Sequence, residues 1–113
     1  NHQLTSRGAW LVKATRSASS YRLYALPGGP PWRPAMVRDV SGAAIEVEVW
    51  SVPEDRFGSF VAGIPTPLGI GRIELEDGSQ VSGFICEQGG IQGAQDITEF
   101  AGWRAYISAR QSG

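Results

Sequence analysis

The stretch from Ile45 to Trp50 alternates apolar and polar side chains, and this alternation constrains the fold more than any other feature of the chain. A period of two is typical of a half-buried β-strand, because successive side chains point to opposite faces. The odd-numbered positions are apolar, while Glu46, Glu48 and Trp50 share the other face. Carboxylates are rarely buried without partners. The acidic face is therefore either solvated surface or the lining of a polar pocket.

Glycine and proline separate the apolar runs, with 15 glycines and 7 prolines in 113 residues. This distribution of glycine and proline favours short strands joined by turns over a helical bundle. The length suits one domain with an ordinary core, and no internal repeat is visible. We therefore predict a single α+β domain over residues 1–113, built on a small sheet that can close on itself and carrying a few short helices.

Local signals place the elements of this domain. Asp77-Gly78 is a strong hairpin turn, which pairs residues 72–76 with residues 80–86. Pro53 and the two acids after it predict a helix that Gly63 ends. The remaining predicted elements are a helix end at residues 1–7 closed by Gly8, strands at 9–15, 21–26 and 36–40, loops at 27–34 and 64–71, and a closing helix at 103–110.

Composition excludes several functions. A net charge of −1 and a pI near 5.8 give no electrostatic reason to expect nucleic acid or an anionic membrane as partner. One cysteine, Cys86, and one histidine, His2, argue against a disulfide framework or a structural metal site, and no cofactor motif is present. No signal peptide or membrane span is visible, so we expect a cytoplasmic protein or a piece of one.

Two kinds of side chain offer chemistry. His2 titrates near neutrality. Glu46 and Glu48 lie roughly 7 Å apart on one strand face, and if that face is enclosed, one of them suits a general acid. The alternative is a solvated face with arginine partners. Cys86 stands in an apolar run and is interpreted as a small buried hydrophobe, not a nucleophile.

Several of these stretches together resemble the C-terminal domain of allophanate hydrolases. The resemblance runs in one order along nearly the whole chain. It rests on NHQL at 1–4, SRG at 6–8, YRLYALPG at 21–28, IEVEVW at 45–50, IPTPLGIG at 64–71, GFICE at 83–87, DIT at 96–98 and GWRAY at 102–106.

The resemblance implies a fold similar to gamma-glutamyl cyclotransferases, a small mixed β-barrel with flanking short helices and a pocket at one end. It also implies a first strand and a glycine-containing turn before Asn1. The cyclotransferase catalytic glutamate would fall within residues 64–71, where no carboxylate stands, so cyclotransferase activity is not expected. The implied activity is the second step of allophanate degradation, decarboxylation of N-carboxyurea, or a related small carbamate, to urea and carbon dioxide.

Decarboxylation needs a carboxylate taken out of water and a proton for the departing nitrogen. His2 and Glu48 are the candidate catalytic donors, and Tyr24 is a candidate to hydrogen-bond the urea end. The apolar segment 64–71 would desolvate the carboxylate, and backbone N–H groups in it would orient the substrate. The candidate substrate-binding residues are Asn1, Tyr24, Pro65, Leu68, Gly69 and Gly71.

Two alternatives stay open. In the first alternative, the domain is a non-catalytic module that dimerises or docks an amidase through exposed aromatic residues such as Trp32, Trp50 and Trp103. In the second it is a pocket protein for another small amide or amine. The expected partners are a small-molecule substrate, an amidase domain or subunit, and a second copy of the chain, without metal or cofactor.

Overall fold

A computed structural model describes residues 2–28, 33–64 and 68–112. The predicted helices and strands occur in the predicted order, together with two 3-10 turns and a short strand at Gln95–Asp96 that were not predicted. The elements are α1 (His2–Thr5), β1 (Trp10–Arg16), β2 (Tyr21–Leu26), β3 (Arg33–Arg38), β4 (Glu46–Ser51), α2 (Glu54–Ala62), β5 (Leu68–Glu74), β6 (Gln80–Cys86), a 3-10 turn (Gln88–Ile91), β7 (Gln95–Asp96), a second 3-10 turn (Thr98–Phe100) and α3 (Trp103–Ser112).

The strands form a small β-rich α+β domain, but the predicted closed barrel is not what the described residues build. They pair as three separate sheets, β1–β4, β3–β2–β7 and β5–β6, and every pair is antiparallel, not mixed. The sheets are joined by isolated bridges, Ser17 with Leu75 and Tyr21 with Ala43. The sheets do not close into a barrel because each connection between them is a single β-bridge, without a continuous ladder of strand pairing.

Strand β2 is the centre of the domain, since both of its faces are covered. Tyr21, Leu23 and Ala25 point into a first core cluster. The other members of this cluster are Met36, Ile45, Ile73, Ile97 and Tyr106. Leu26 belongs to a second cluster on the opposite face of the sheet. The apolar side of the Ile45–Trp50 stretch faces the first cluster as predicted, with Ile45 fully buried and Val47 packed against it.

The hairpin was predicted correctly, but the segment before it was not. Gly78 takes a positive φ of 87° in the turn between β5 and β6, the conformation for which glycine is favoured. Residues 64–71 were predicted as a loop, whereas β5 begins at Leu68 and pairs along its whole length with β6. Gly71 stands opposite Gly83 in this ladder, and the side chains of Ile85 and Ile73 occupy the space above them.

Helix α2 starts after Pro53 with Glu54 and Asp55 in its first turn, as predicted, and it buries none of its residues. Its aromatic Phe60 contacts Phe84 of β6, with ring centroids 5.5 Å apart. Helix α3 is anchored more firmly, because Tyr106 is buried in the first core cluster. The two longer helices are thus buried to unequal extents.

A buried hydroxyl ties β1 to the chain that enters β4. Ser17 is fully buried, and its Oγ accepts a hydrogen bond from the Ile45 N–H at 3.0 Å. The same hydroxyl donates to the Ala18 carbonyl at 2.8 Å. Because water does not reach this point, the Ile45 N–H depends on this one side chain.

We expect Ser17→Ala to lower the free energy of unfolding by about 1–3 kcal/mol, the cost of leaving a buried donor unsatisfied. Urea denaturation followed by tryptophan fluorescence measures the change. Ser19→Ala, at an exposed position two residues along the same turn, is the matched control. Equal stability of the two variants would contradict the role assigned to the Ser17 hydroxyl.

Candidate functional site

The acidic face of β4 is solvated surface with arginine partners. Glu48 Oε2 accepts from Arg104 Nη2 at 2.7 Å, and Glu48 Oε1 accepts from Trp50 Nε1 at 3.3 Å. Glu46 Oε1 lies 3.7 Å from Arg16 Nη2. The Glu46 side chain is 55% exposed and that of Glu48 is 31% exposed. Of the two interpretations of this face, the structure gives the solvated one.

An open depression of about 380 Å³ lies elsewhere, at the start of α2. Its lining residues are Ser6, Arg7, Gly8, Pro53, Asp55 and Arg56. Of the predicted site residues whose side chains the structure describes, none lines it.

Two of the predicted binding residues pack against the same apolar cluster. The second core cluster consists of Leu26, Ala35, Val37 and Cys86, and both Tyr24 and Leu68 pack against it. Tyr24 is half-buried on β2, opposite Ala35. Leu68 stands opposite Cys86 at the start of β5.

Cys86 confirms its predicted character as a buried apolar side chain. Burial, with a smaller contribution from Glu87, raises the pKa of the Cys86 thiol. A thiol with a raised pKa is a poor nucleophile at neutral pH. We name the surface formed by Tyr24 and Leu68, which both pack against the cluster that contains Cys86, the Tyr24–Leu68 site.

The two predicted glycines follow Leu68 along β5 and differ in their surroundings. A Cβ at Gly69 would meet nothing within 4 Å, so the backbone there is open to a ligand. A Cβ at Gly71 would lie 2.9 Å from Ile85 Cγ2, so this glycine serves packing. Asn1 and Pro65 lie outside the described residues, as does Trp32. His2 begins α1, and its side chain is also outside the described part.

A charged group beside Tyr24 was missed by the sequence reasoning. Arg22 Nε donates to Asp96 Oδ2 at 2.7 Å, and Arg22 Nη1 donates to the Ser41 carbonyl at 3.1 Å. Asp96 Oδ1 in turn accepts from the Thr98 N–H and hydroxyl at 3.0 and 2.6 Å. The period of β2 was the available signal, because Arg22 and Tyr24 share one face of that strand.

These contacts shift the ionisation of both charged groups. Burial raises the pKa of Asp96, but the hydrogen bonds from Thr98 and Arg22 outweigh it and the net pKa is lowered. The hydrogen bond to Asp96 raises the pKa of Arg22. The pair is therefore ionised at neutral pH, with the guanidinium fixed in direction.

The part of the chain that the structure describes has neither a cluster of metal ligands nor a helix that could span a membrane. Over residues 2–28, 33–64 and 68–112, no three His, Cys, Asp or Glu side chains are grouped so as to hold a metal ion. Within the same ranges, every helix is too short or too polar to cross a bilayer.

The chain is similar in sequence to known proteins of urea degradation. A model of the allophanate hydrolase C-terminal domain family matches residues 1–108. The urea amidolyase of Saccharomyces cerevisiae is 44% identical over 110 residues, a match that covers 93% of this chain and 6% of the yeast protein. The chain thus spans only a small part of the length of that relative.

Solved structures give the same result. Kluyveromyces lactis allophanate hydrolase superposes with a TM-score of 0.91 at 44% identity, over 96% of this chain and 18% of that one. A uropathogenic E. coli-specific protein superposes with a TM-score of 0.87 at 32% identity, over 96% of this chain and 84% of that one. The domain therefore occurs both within long polypeptides and as most of a short one. The chain belongs to the allophanate hydrolase C-terminal domain family.

Proposed function

We propose that this domain decarboxylates the small N-carboxylated carbamate that an amidase leaves when it hydrolyses allophanate. Membership of the allophanate hydrolase C-terminal domain family supports a role beside an amidase. The observation that carries the proposal is the Tyr24–Leu68 site, where a half-buried phenol lies against an apolar cluster. The cyclotransferase-like arrangement of a pocket at one end of the sheets, and a cytoplasmic setting, are parts of this proposal.

The stoichiometry of allophanate hydrolysis identifies the substrate of the decarboxylation. N-carboxyurea is allophanate itself, so its decarboxylation to urea would bypass the amidase. Hydrolysis of the terminal amide of allophanate instead releases ammonia and leaves N-carboxycarbamate, a nitrogen that carries two carboxylates. Breaking one C–N bond then gives carbon dioxide, the bonding electron pair stays on nitrogen, and one proton on that nitrogen completes carbamate. N-carboxycarbamate is therefore the preferred member of the substrate class.

The proposed roles follow from this step. Leu68 and the apolar cluster against which it packs would keep water from the departing carboxylate, which raises its energy relative to the neutral product, and the open space at Gly69 would admit the substrate. The Tyr24 hydroxyl would hydrogen-bond the part of the substrate that stays. His2 would supply the proton, because both Glu48 oxygens are already engaged by other groups. Asn1 and Pro65 stay proposed binding residues, whereas Gly71 serves packing against Ile85.

A coupled assay tests the proposal. A separate amidase converts ¹³C-labelled allophanate, and ¹³C NMR follows N-carboxycarbamate with and without the chain. We expect the intermediate to disappear at least tenfold faster when the chain is present. Equal lifetimes would overturn the proposal and would favour the pocket-protein alternative.

An assembly role is the second candidate, and β1 supports it. Trp10, Leu11 and Val12 are 60%, 46% and 55% exposed, which makes a contiguous apolar run on an edge strand. Of the aromatic residues predicted for such a surface, Trp50 and Trp103 are half-buried instead. Light scattering of the chain alone and with an amidase, before and after Trp10→Ser, separates a homodimer from a docking module. A monomer that binds no amidase would exclude this role.

A further inference from the structure

We propose that Arg22, beside the Tyr24 hydroxyl, binds the carboxylate that remains on nitrogen during decarboxylation, so that the departing carboxylate points to the apolar cluster against which Tyr24 packs. This inference rests on the proposed function and adds a residue to it. It assigns Arg22 a part in the chemistry and Asp96 a positioning part, since Asp96 acts through Arg22.

The placement of Arg22 supports this orientation. Arg22 and Tyr24 are two residues apart on β2, so their side chains leave the same face roughly 7 Å from each other. Tyr24 continues that face into the second core cluster, where Leu68 and Cys86 lie. The face thus changes from charged to apolar over about the length of a small dicarboxylate.

The guanidinium is held rigidly and keeps one nitrogen for a ligand. Its Nε and Nη1 are occupied by Asp96 and the Ser41 carbonyl. Within the described residues, Nη2 makes no hydrogen bond, and the side chain is 29% exposed. Asp96 offsets part of the charge of Arg22, but its other oxygen is engaged by Thr98. The arrangement therefore resembles a preorganised donor more than a solvated surface ion pair.

The change in charge as the C–N bond breaks determines which of the two carboxylates Arg22 should bind. The departing carboxylate becomes neutral carbon dioxide, so a cation beside it would stabilise the ground state more than the transition state and slow the reaction. The remaining carboxylate gains electron density from the nitrogen as the C–N bond breaks, so a cation there stabilises the transition state more. Arg22 accelerates the step only if it binds the end that stays.

A purely structural role predicts different kinetics. Arg22 also links β2 to β7 and to the turn at Ser41, so its loss reduces the folded fraction. A loss of folded protein lowers the apparent rate only in proportion and leaves the turnover number of the folded fraction unchanged. Thermal unfolding by circular dichroism corrects the rates of each variant for this fraction.

The test compares Arg22→Gln and Arg22→Lys with Arg16→Gln, a strand arginine that is likewise paired with a carboxylate. After correction for folding, we expect the kcat of Arg22→Gln to fall about 100-fold, as on removing a transition-state donor. Arg22→Lys should recover part of that loss, because it keeps the charge but not the fork. Arg16→Gln should retain the wild-type rate.

Malonate, the methylene analogue of N-carboxycarbamate, separates this inference from the proposed function. Calorimetry measures its binding to the same proteins whether or not they turn over substrate. Weaker malonate binding by Arg22→Gln alone supports the inference, even if the wild type proves inactive and the proposed function fails. Wild-type turnover with an unchanged kcat and unchanged malonate affinity in Arg22→Gln would overturn the inference while leaving the function. No malonate binding to the wild type would also overturn it.

Discussion

His2→Ala is expected to lower the rate of decarboxylation by about 10²–10⁴-fold, the usual contribution of a positioned general acid. The nitrogen that loses carbon dioxide must take up a proton, and an imidazolium can supply one because histidine is the side chain type that changes its charge between about pH 5 and 8. The wild-type rate should therefore fall with rising pH, because the acid form is lost. The ¹³C NMR assay measured from about pH 5.5 to 8.5 gives this profile.

Glu48→Gln distinguishes the two candidate acids. The Glu48 carboxylate is bound by Arg104 and Trp50 on the solvated face of β4, so a proton delivered from it would first require these contacts to break. We expect its substitution to keep the descending pH profile that His2→Ala abolishes. A wild-type rate in His2→Ala together with an inactive Glu48→Gln would reverse the assignment.

Gly42→Ala is expected to cause the largest loss of stability, about 3 kcal/mol or more, as for severe overpacking against backbone. A Cβ at Gly42 would lie 2.3 Å from the Tyr21 carbonyl oxygen and 2.5 Å from the Tyr21 nitrogen. The next residue, Ala43, donates its N–H to that same carbonyl at 2.7 Å. Relief of the clash would therefore break the bridge that joins this turn to the central strand.

Gly58→Ala is the matched control for this substitution. Gly58 lies inside α2, and a Cβ there would meet nothing within 4 Å. Alanine is favoured over glycine in a helix by up to about 1 kcal/mol, so this variant should be as stable as the wild type or more so. Urea denaturation of both variants measures the difference. A Gly42→Ala protein as stable as Gly58→Ala would contradict the close approach of the two backbones.

The sequence predicted those parts of the fold that local patterns determine. Alternation located β2 and β4, and Asp77-Gly78 located the hairpin between β5 and β6. The extent of β5 was missed because a short apolar run with Gly69 and Gly71 has no strand period. The glycines in β5 are explained only by its pairing with β6, in which Gly83 stands opposite Gly71.

The site was harder to predict, because its contacts join residues that are far apart in the sequence. Arg104 lies 56 residues from Glu48 along the chain, so alternation alone did not separate a solvated acidic face from a pocket lining. Arg22 and Asp96 are 74 residues apart and meet only when β7 joins β2. The apolar character of Leu68 was evident from the sequence, but only the structure shows that it packs against the same cluster as Tyr24.

Malonate titration of the ¹⁵N-labelled chain tests most directly where the substrate binds. Backbone amide shifts that change together at Tyr24, Leu68 and Gly69, and saturate with one dissociation constant, are the result expected if the Tyr24–Leu68 site holds the small dicarboxylate. Changes confined to Glu48 and Trp50 on β4, with Tyr24 and Leu68 unmoved, would place the ligand on the acidic face and contradict the account.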